Sequence, residues 1–195
     1  MATNSIAEKT AEDDNICQGD VFKNIRYIYI DEEDDDEVQI IEFTFPMALI
    51  ISQACDVNAM GNIITQNSGK ATKFMPSILM CPVYDATEAK SSNHLLQVFN
   101  ELNIARSGEP VDNLFTKEDM NIASKDWHYR FHKLKVSFNE KVVVDDAIID
   151  FKHYFTVPAS YLIKNRQNRL FRLKGIYAEQ ITLKFATFLS RVAIP

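Results

Sequence analysis

The sequence predicts an α+β fold that combines a β framework, an inserted helical segment and a C-terminal amphipathic helix. Short runs rich in β-branched and aromatic residues recur along the chain, which is typical of strands. Apolar residues recur at helical spacing over 95–102 and again over 176–192. The length of 195 residues fits one domain with insertions better than two domains.

Three predicted strands open the fold. They follow a polar, acidic segment, residues 1–16, which predicts a disordered tail ahead of a single globular domain over 17–195. The third strand is uniformly apolar, so we expect it to be buried on both faces. Pro46 separates the last two strands, and the three cover 21–30, 38–45 and 47–52.

Seven consecutive carboxylates occupy residues 31–37, between the first two strands. Like charges at this density repel one another and cannot be packed, so the run predicts a solvated hairpin tip. A divalent-cation site and a lure for a basic partner are the functional alternatives. EF-hand spacing is absent, because the run lacks the turn glycine and the distal glutamate of that motif.

The remaining elements follow the third strand. A loop is predicted over 57–72, where glycine and asparagine occur without periodicity, and residues 86–124 are predicted to form the inserted helical segment. A short helix is predicted over 159–164 and the closing helix over about 176–192. Further strands are predicted over 77–84, 127–136, 142–151 and 169–173, and the strand over 142–151 could instead be two short ones around Asp145 and Asp146.

Polar side chains end the third strand, where Ser52, Gln53, Cys55 and Asp56 lie within five positions. A thiol needs a base to become a nucleophile, so a cysteine hydrolase would require a histidine close to Cys55. We favour the alternative that Cys55 is a buried thiol whose neighbours bond the turn, because free cysteines are usually buried. The candidate bases are His94, His128, His132 and His153.

Histidine and cysteine spacing argues against a metal site. His128 and His132 have i,i+4 spacing, but in the predicted strand they lie about 13 Å apart, and we keep them as binding candidates only. Cys17, Cys55 and Cys81 are odd in number and lack zinc-site spacing, which indicates free thiols and a cytoplasmic location. Nucleotide-binding and nucleophile-elbow motifs are absent, and no apolar run reaches membrane-spanning length. We therefore expect neither a cofactor nor a membrane partner.

Charge is distributed unevenly along the chain. Residues 1–60 carry 14 acidic and 3 basic side chains, whereas residues 61–195 carry 13 acidic and 18 basic side chains. A basic face on the C-terminal part would suit nucleic-acid phosphates, and solvated sheet edges are the structural alternative. Arg191, near the end of the closing helix, suits the helix dipole there, and it could instead pair with Asp20 or Asp56 or hold a substrate phosphate or carboxylate. Arg191, Asp20 and Gln53 are therefore kept as binding candidates.

Three pieces of the chain resemble the MazF/PemK toxin family: QGDVF at 18–22, PMALIISQ at 46–53 and LMCPV at 79–83. The resemblance implies an SH3-like β-barrel with a C-terminal helix, cleavage of single-stranded RNA and neutralisation by an antitoxin. Ser52 matches the family's serine or threonine at a strand end, and Arg26 is the nearest match to its arginine. The SQxCD motif, with residues 190–195, also resembles a group of bacterial proteins to which no activity is attached.

From the resemblance we expect an intracellular toxin-like protein that engages single-stranded RNA. As an endoribonuclease it would polarise the scissile phosphate with Ser52 and Arg26, and Asp56 or a histidine would be the base. The alternative is a non-enzymatic interaction module whose barrel surface and acidic loop dock a basic protein partner. An antitoxin-like protein, a complex subunit and a second copy in a homodimer are the partners considered, and a Cys55 hydrolase is a third function class.

Overall fold

The computed structural model describes residues 5–11, 14–33, 37–66, 71–90, 129–138 and 141–191. Its strands are β1 Ala7–Glu8, β2 Asp20–Glu33, β3 Glu37–Ile50, β4 Ser77–Asp85, β5 Phe131–Phe138, β6 Lys141–Asp150, β7 Phe155–Pro158 and β8 Arg169–Leu173. Its helices are α1 Ala54–Gln66, α2 Ala86–Lys90, α3 Ala159–Lys164 and α4 Gly175–Leu189, with 3-10 turns at Ala71–Lys73 and Arg166–Asn168. The predicted insertion lies largely outside the described residues, as does His128.

The strands form one antiparallel sheet in the order β1-β8-β2-β3-β4-β6-β5, and β7 also pairs with β4. The sheet curls into a half-barrel. The two end strands of the sheet, β1 and β5, approach each other. The hydroxyl of Ser5, which precedes β1, donates a hydrogen bond of 2.8 Å to the Ser137 carbonyl of β5. The predicted α+β class is therefore confirmed.

Pro46 does not divide β3, so the prediction of two separate strands over 38–52 is wrong. The β2–β3 register pairs Ile25 with Phe45 and Lys23 with Met47, and it skips the facing positions Asn24 and Pro46. Asn24 has a left-handed φ of 53° at this point. Pairing with β4 begins only at Met47, so the missing proline N–H interrupts no ladder hydrogen bond.

Burial on both faces, predicted for the apolar run over 47–52, is confirmed for residues 48–51 at the end of β3. Ala48 and Ile50 belong to one hydrophobic core, and Leu49 and Ile51 belong to a second core on the other face. The first core includes residues of α1 and α3, and the second includes the buried side of α4. Because successive side chains of a strand point to opposite faces, this stretch contributes side chains to both cores.

The N-terminal segment is ordered where the structure describes it, contrary to the predicted tail over 1–16. Ala7 pairs with Leu173 of β8, and Ile16 is fully buried in the first core. The segment was predicted to be a tail because its overall composition is polar and acidic. Ala7 and Ile16 nevertheless lie at the sheet edge and in the core. The described residues from β1 onwards are therefore part of the folded unit.

The loop predicted over 57–72 is also wrong, because α1 occupies most of it. Gly61 and the asparagines lower helix propensity there. Val57 and Met60 lie one turn apart on a face that packs into the first core, and Ile64 packs beside them. Tertiary burial of an amphipathic face stabilises helices more than propensity does, which explains the outcome.

Candidate functional site

The two residues that the family resemblance assigns to RNA cleavage do not converge. The Ser52 hydroxyl accepts a hydrogen bond of 2.8 Å from the Leu79 N–H, which ties the end of β3 to β4. Arg26 lies within β2, opposite Thr44 of β3. The eight residues from Thr44 to Ser52 span roughly 26 Å at strand geometry, too far for Ser52 and Arg26 to hold one phosphate.

Arg26 is already engaged. Its Nε and Nη2 atoms donate to the two Glu42 carboxylate oxygens at 2.7 and 2.6 Å, in a bidentate pair on the protein surface. The Glu42 hydrogen bonds raise the pKa of Arg26, and the Arg26 hydrogen bonds lower the pKa of Glu42. The pair is neutral overall, so Arg26 supplies no net positive field to a ligand.

Cys55 is exposed at the start of α1, so its predicted burial is wrong. Its thiol lies 3.6 Å from an Asp56 carboxylate oxygen and 3.9 Å from the amide oxygen of Gln53, which is also exposed. Among the described residues, the histidines lie against other groups: His132 Nδ1 is 3.5 Å from Lys184 Nζ, and His153 pairs with Asp150. The described part of the chain thus contains no Cys–His dyad.

Asp20 is a fully buried ion-pair centre, but its partner is not Arg191. Its carboxylate accepts hydrogen bonds from Arg169 Nη1 at 3.2 Å and from Arg172 Nε at 2.6 Å. It also accepts a hydrogen bond from Arg172 Nη2 at 3.1 Å and one from the Cys17 N–H at 2.8 Å. Arg191 instead places its guanidinium carbon 3.9 Å from the Tyr129 ring centroid. The predicted Arg191 pairs with Asp20 and Asp56 are therefore wrong.

The same two arginines clamp the N-terminal segment. Arg169 donates to the Ala11, Asp14 and Asn15 carbonyls, and Arg172 donates to the Asn15 carbonyl at 2.6 Å. Both guanidinium groups are used internally and are not presented to solvent phosphates. Arg166 differs, since its buried Nε and Nη2 atoms have no acceptor among the described residues.

A second buried ion cluster was missed by sequence reasoning. Asp150 accepts two hydrogen bonds from Arg130, at 2.8 and 2.7 Å, one from the Lys152 N–H at 3.0 Å, and a contact of 2.9 Å from His153 Nδ1. Burial alone would raise the pKa of Asp150, but the hydrogen bonds and charges of Arg130 and His153 hold it well below its ordinary value. The available signal was an aspartate closing an apolar strand, which needs buried partners.

One edge of β2 is open over part of its length in the described structure. Pairing with β8 ends at Phe22, and no described strand pairs with that edge beyond it. The Arg26 N–H on this edge donates to the Tyr161 hydroxyl at 3.0 Å. Because backbone groups of a strand alternate between its edges, those of Ile28, Ile30 and Glu32 face the same way as Arg26. We call this stretch, residues 28–32, the open edge.

Apolar side chains accompany the open edge. Ile28 is 54% exposed, Ile30 is 59% exposed, and Ile40, which pairs with Ile30 across the hairpin, is 68% exposed. Single exposed apolar residues are common, but a row of them along an unpaired strand marks a surface suited to pairing with another chain. The sequence showed the isoleucines, but not that the strand beside them is missing.

A groove of about 370 Å³ separates the open edge from β7 and α3. The far wall comes from β7 and the start of α3, and an aromatic cluster fixes that wall to the hairpin base. Within it, the Tyr27 and Phe155 ring centroids are 5.4 Å apart and Phe45 stacks on Phe155 at 4.2 Å. The groove is lined by Arg26, Tyr27, Ile28, Ile30, Thr156, Val157, Pro158 and Tyr161.

The carboxylate run lies at the far end of the same hairpin. Pairing between β2 and β3 continues to Glu33 and Glu37, and residues 34–36 lie outside the described residues. The described residues of the run close the pairing of β2 with β3, and the solvated hairpin tip stays a prediction.

Comparisons with models of known protein families, with curated proteins and with solved structures gave no match. In the described ranges, no helix is both long and apolar enough to cross a membrane. The same ranges hold no group of three or more His, Cys, Asp or Glu side chains placed to bind a metal. The relation to the MazF/PemK family stays a prediction.

Proposed function

We propose that this protein is a non-enzymatic interaction module that binds an extended segment of another protein along the open edge. The observation that carries the proposal is the backbone of Ile28, Ile30 and Glu32, which faces an edge with no neighbouring strand among the described residues. A segment that adds there as a strand gains main-chain hydrogen bonds for affinity and side-chain contacts for specificity. Each such hydrogen bond contributes about 0.5–1.5 kcal/mol net.

The groove supplies the side-chain contacts for this binding mode. Ile28 and Ile30 form one wall, and Val157 and Pro158 contribute to the other. Burying apolar surface between them contributes about 25 cal/mol per Å². The Tyr161 hydroxyl already occupies the Arg26 N–H, so strand addition would begin at Ile28.

Engagement of RNA, the expectation from the family resemblance, has less support. Ser52 is bonded to the Leu79 N–H, Arg26 is neutralised by Glu42, and the clamp arginines are internal. An RNA cleavage assay tests this function. If the wild-type chain cleaves single-stranded RNA and Ser52→Ala does not, the RNA function is favoured over the binding function.

The finer fold that we propose is the SH3-like, MazF/PemK-like barrel. The curled antiparallel sheet and the C-terminal helix α4 support it. Cys17, Cys55 and Cys81 are free thiols, which supports a reducing, cytoplasmic location.

Strand addition is tested with a proline at the outward-facing position Ile30. Proline removes the N–H that would bond the added segment, while the hairpin's own ladder uses the alternate residues of β2. A displayed library of random 12-residue peptides is selected on the wild-type chain, and the enriched peptides are then measured on Ile30→Pro. We expect their affinity to fall by about tenfold, equal to one or two lost hydrogen bonds.

The matched control is Ile40→Pro. Ile40 faces Ile30 across the hairpin, has a similarly exposed side chain, and directs its N–H away from the open edge. Its affinities should stay within about twofold of wild type, a change smaller than one lost hydrogen bond. Circular dichroism shows whether both variants fold. Enrichment of no peptide, or equal loss in both folded variants, would contradict the proposal.

A further inference from the structure

We infer that the bound segment is paired on both of its edges, to β2 on one side and to β7 on the other, an inference that rests on the proposed function. Strands β2, β3, β4 and β7 pair in that order, and all of them contribute side chains to the first core. The groove separates the last of these strands from the first. A segment bound in the groove therefore closes the four strands into a barrel.

The edge of β7 that faces the groove is unpaired among the described strands. Thr156 of β7 pairs with Leu79 of β4. The Leu79 N–H donates to the Ser52 hydroxyl, and the Leu79 C=O accepts from the Ile51 N–H at 2.9 Å, so both groups face β3. Paired residues of antiparallel strands direct their backbone groups either towards each other or away from each other. The N–H and C=O of Thr156 consequently face away from β4, towards the groove that Thr156 lines.

The two edges present their backbone groups at the same spacing. On β2, the residues that face the groove are Ile28 and Ile30, and on β7 they are Thr156 and Pro158. Pro158 offers only its C=O, because proline has no N–H. An extended stretch of three residues, about 10 Å long, spans these positions on both sides. Such a stretch can therefore exchange hydrogen bonds with both strands at once.

Side chains of the segment alternate between the outside and the inside of the barrel. Those that face outward lie beside Ile28 and Ile30, whose side chains are more than half exposed. Those that face inward meet Tyr27 and Val157, which line the groove and pack in or against the first core. We expect apolar residues at the inward positions. Proline is disfavoured at every position, because each N–H of the segment faces one of the two edges.

The occupant is an extended segment of another protein rather than a strand of a second copy. A segment that is bonded on both edges must have both edges free before it binds. Each described strand of this chain, from β1 to β8, already pairs with at least one neighbour. A described strand from a second copy would have to leave its own sheet to enter the groove, whereas an unpaired segment gives up no strand pairing.

Backbone methylation of the peptides enriched on the wild-type chain tests pairing on both edges. Each peptide is synthesised with one N-methyl group at each position in turn, and its affinity for the full chain is measured by fluorescence anisotropy. A segment bonded on both edges should lose about tenfold in affinity at three consecutive positions, because adjacent N–H groups face opposite edges. A segment bonded to β2 alone should lose affinity only at every second position.

Variants of β7 give an independent measurement. Thr156→Pro removes the N–H that faces the groove and leaves the bonds to β4 in place, so the enriched peptides should bind about tenfold more weakly. Thr156→Ala is the matched control, because it keeps this N–H, and its affinities should stay within about twofold of wild type. Ile30→Pro should weaken the peptides as well. Circular dichroism shows whether each variant folds, and the methylation scan decides if Thr156→Pro does not.

The outcomes distinguish this inference from the proposed function. Loss in Ile30→Pro without loss in a folded Thr156→Pro, or loss at alternate methylated positions only, overturns the inference and leaves the proposed function standing. Peptide binding that is unchanged in Ile30→Pro, or enrichment of no peptide, overturns both. Analytical ultracentrifugation tests the second copy: a dimer that dissociates in both proline variants would overturn the assignment to another protein.

Discussion

The buried charge of Asp20 is bonded by groups from three other residues. Its carboxylate has no exposed surface and is bonded by Arg169, Arg172 and the Cys17 N–H. Removing one member of such a group leaves buried charges without a partner. The same arginines hold the N-terminal segment, so the effect of a change at Asp20 extends to the attachment of β1.

We predict that Asp20→Ala lowers the free energy of unfolding by about 3–5 kcal/mol, because two arginines then remain buried without a carboxylate. Urea unfolding followed by circular dichroism measures the change. Glu42→Ala is the control, since it removes the carboxylate of the exposed Arg26 pair and should barely move the urea midpoint. Similar midpoint shifts in the two variants would mean that Asp20 does not have this role.

The stability contributed by Asp150 should depend on pH. Its folded-state pKa lies well below the value of about 3.9 for an unfolded aspartate, so the contribution is complete above about pH 5. It declines as the pH falls through about 4 towards the lower folded-state pKa. The difference in unfolding free energy between wild type and Asp150→Asn is therefore expected to be large at pH 7 and smaller at pH 3.

Urea titrations at pH 7, 5, 4 and 3 measure this difference. Asp145→Asn serves as the comparison, because Asp145 pairs with Lys135 on the surface, where its effect on stability should be small at every pH. If the difference in unfolding free energy between wild type and Asp150→Asn stays constant from pH 7 to pH 3, the stability contributed by Asp150 does not depend on its protonation.

Partner choice at both aspartates could not be predicted from the sequence. The need for a partner was foreseeable at Asp20, because a carboxylate at the start of a buried strand requires one. Which arginine supplies it depends on β8 lying beside β2, and strand order is not encoded in local residue patterns. Arg191 was chosen from its place in a helix, yet it lies against Tyr129.

At the scale of elements, local patterns predicted several pieces well. The strands over 77–84, 142–151 and 169–173 and the helix over 159–164 are confirmed within a residue or so. The strands are short runs rich in β-branched or other apolar residues, which is typical of strands. β5 begins at Phe131 rather than at residue 127, and α1 was missed because its stabilisation comes from packing.

Gly19 lies where an element boundary leaves no room for a side chain. It has a φ of +86°, and a Cβ there would stand 2.9 Å from the Ala178 Cβ and 3.1 Å from the Leu173 carbonyl oxygen. We predict that Gly19→Ala destabilises the protein by about 2–4 kcal/mol, from left-handed strain together with crowding against α4. Thermal and urea unfolding measure the loss.

Gly175→Ala is the matched control for that substitution. A Cβ at Gly175 meets no atom within 4 Å, and the residue begins α4. Stability should be unchanged or should rise by up to about 1 kcal/mol, because alanine restricts the unfolded chain and favours the helix. A loss at Gly175 as large as that at Gly19 would point to a general effect of the mutation rather than to crowding.

At the scale of the whole molecule, the α+β class followed from composition and periodicity, but the candidate site did not. The open edge exists because β8 stops pairing at Phe22 while β2 continues to Glu33. A strand edge is open when no other strand pairs with it, and the residues of β2 do not show whether another strand does. The isoleucines were visible in the sequence, and only the strand order shows that they lie beside an unpaired edge.

The double burial of β3 also sets how this protein can change over time. Ala48 and Ile50 serve one core while Leu49 and Ile51 serve the other, so a single inserted or deleted residue in this stretch would exchange the two sets. Lineages carrying this fold should therefore accept length changes in this stretch, which joins the two cores, far less readily than single substitutions that keep its alternation. Variation in the hairpin would alter what the protein binds while its framework persists.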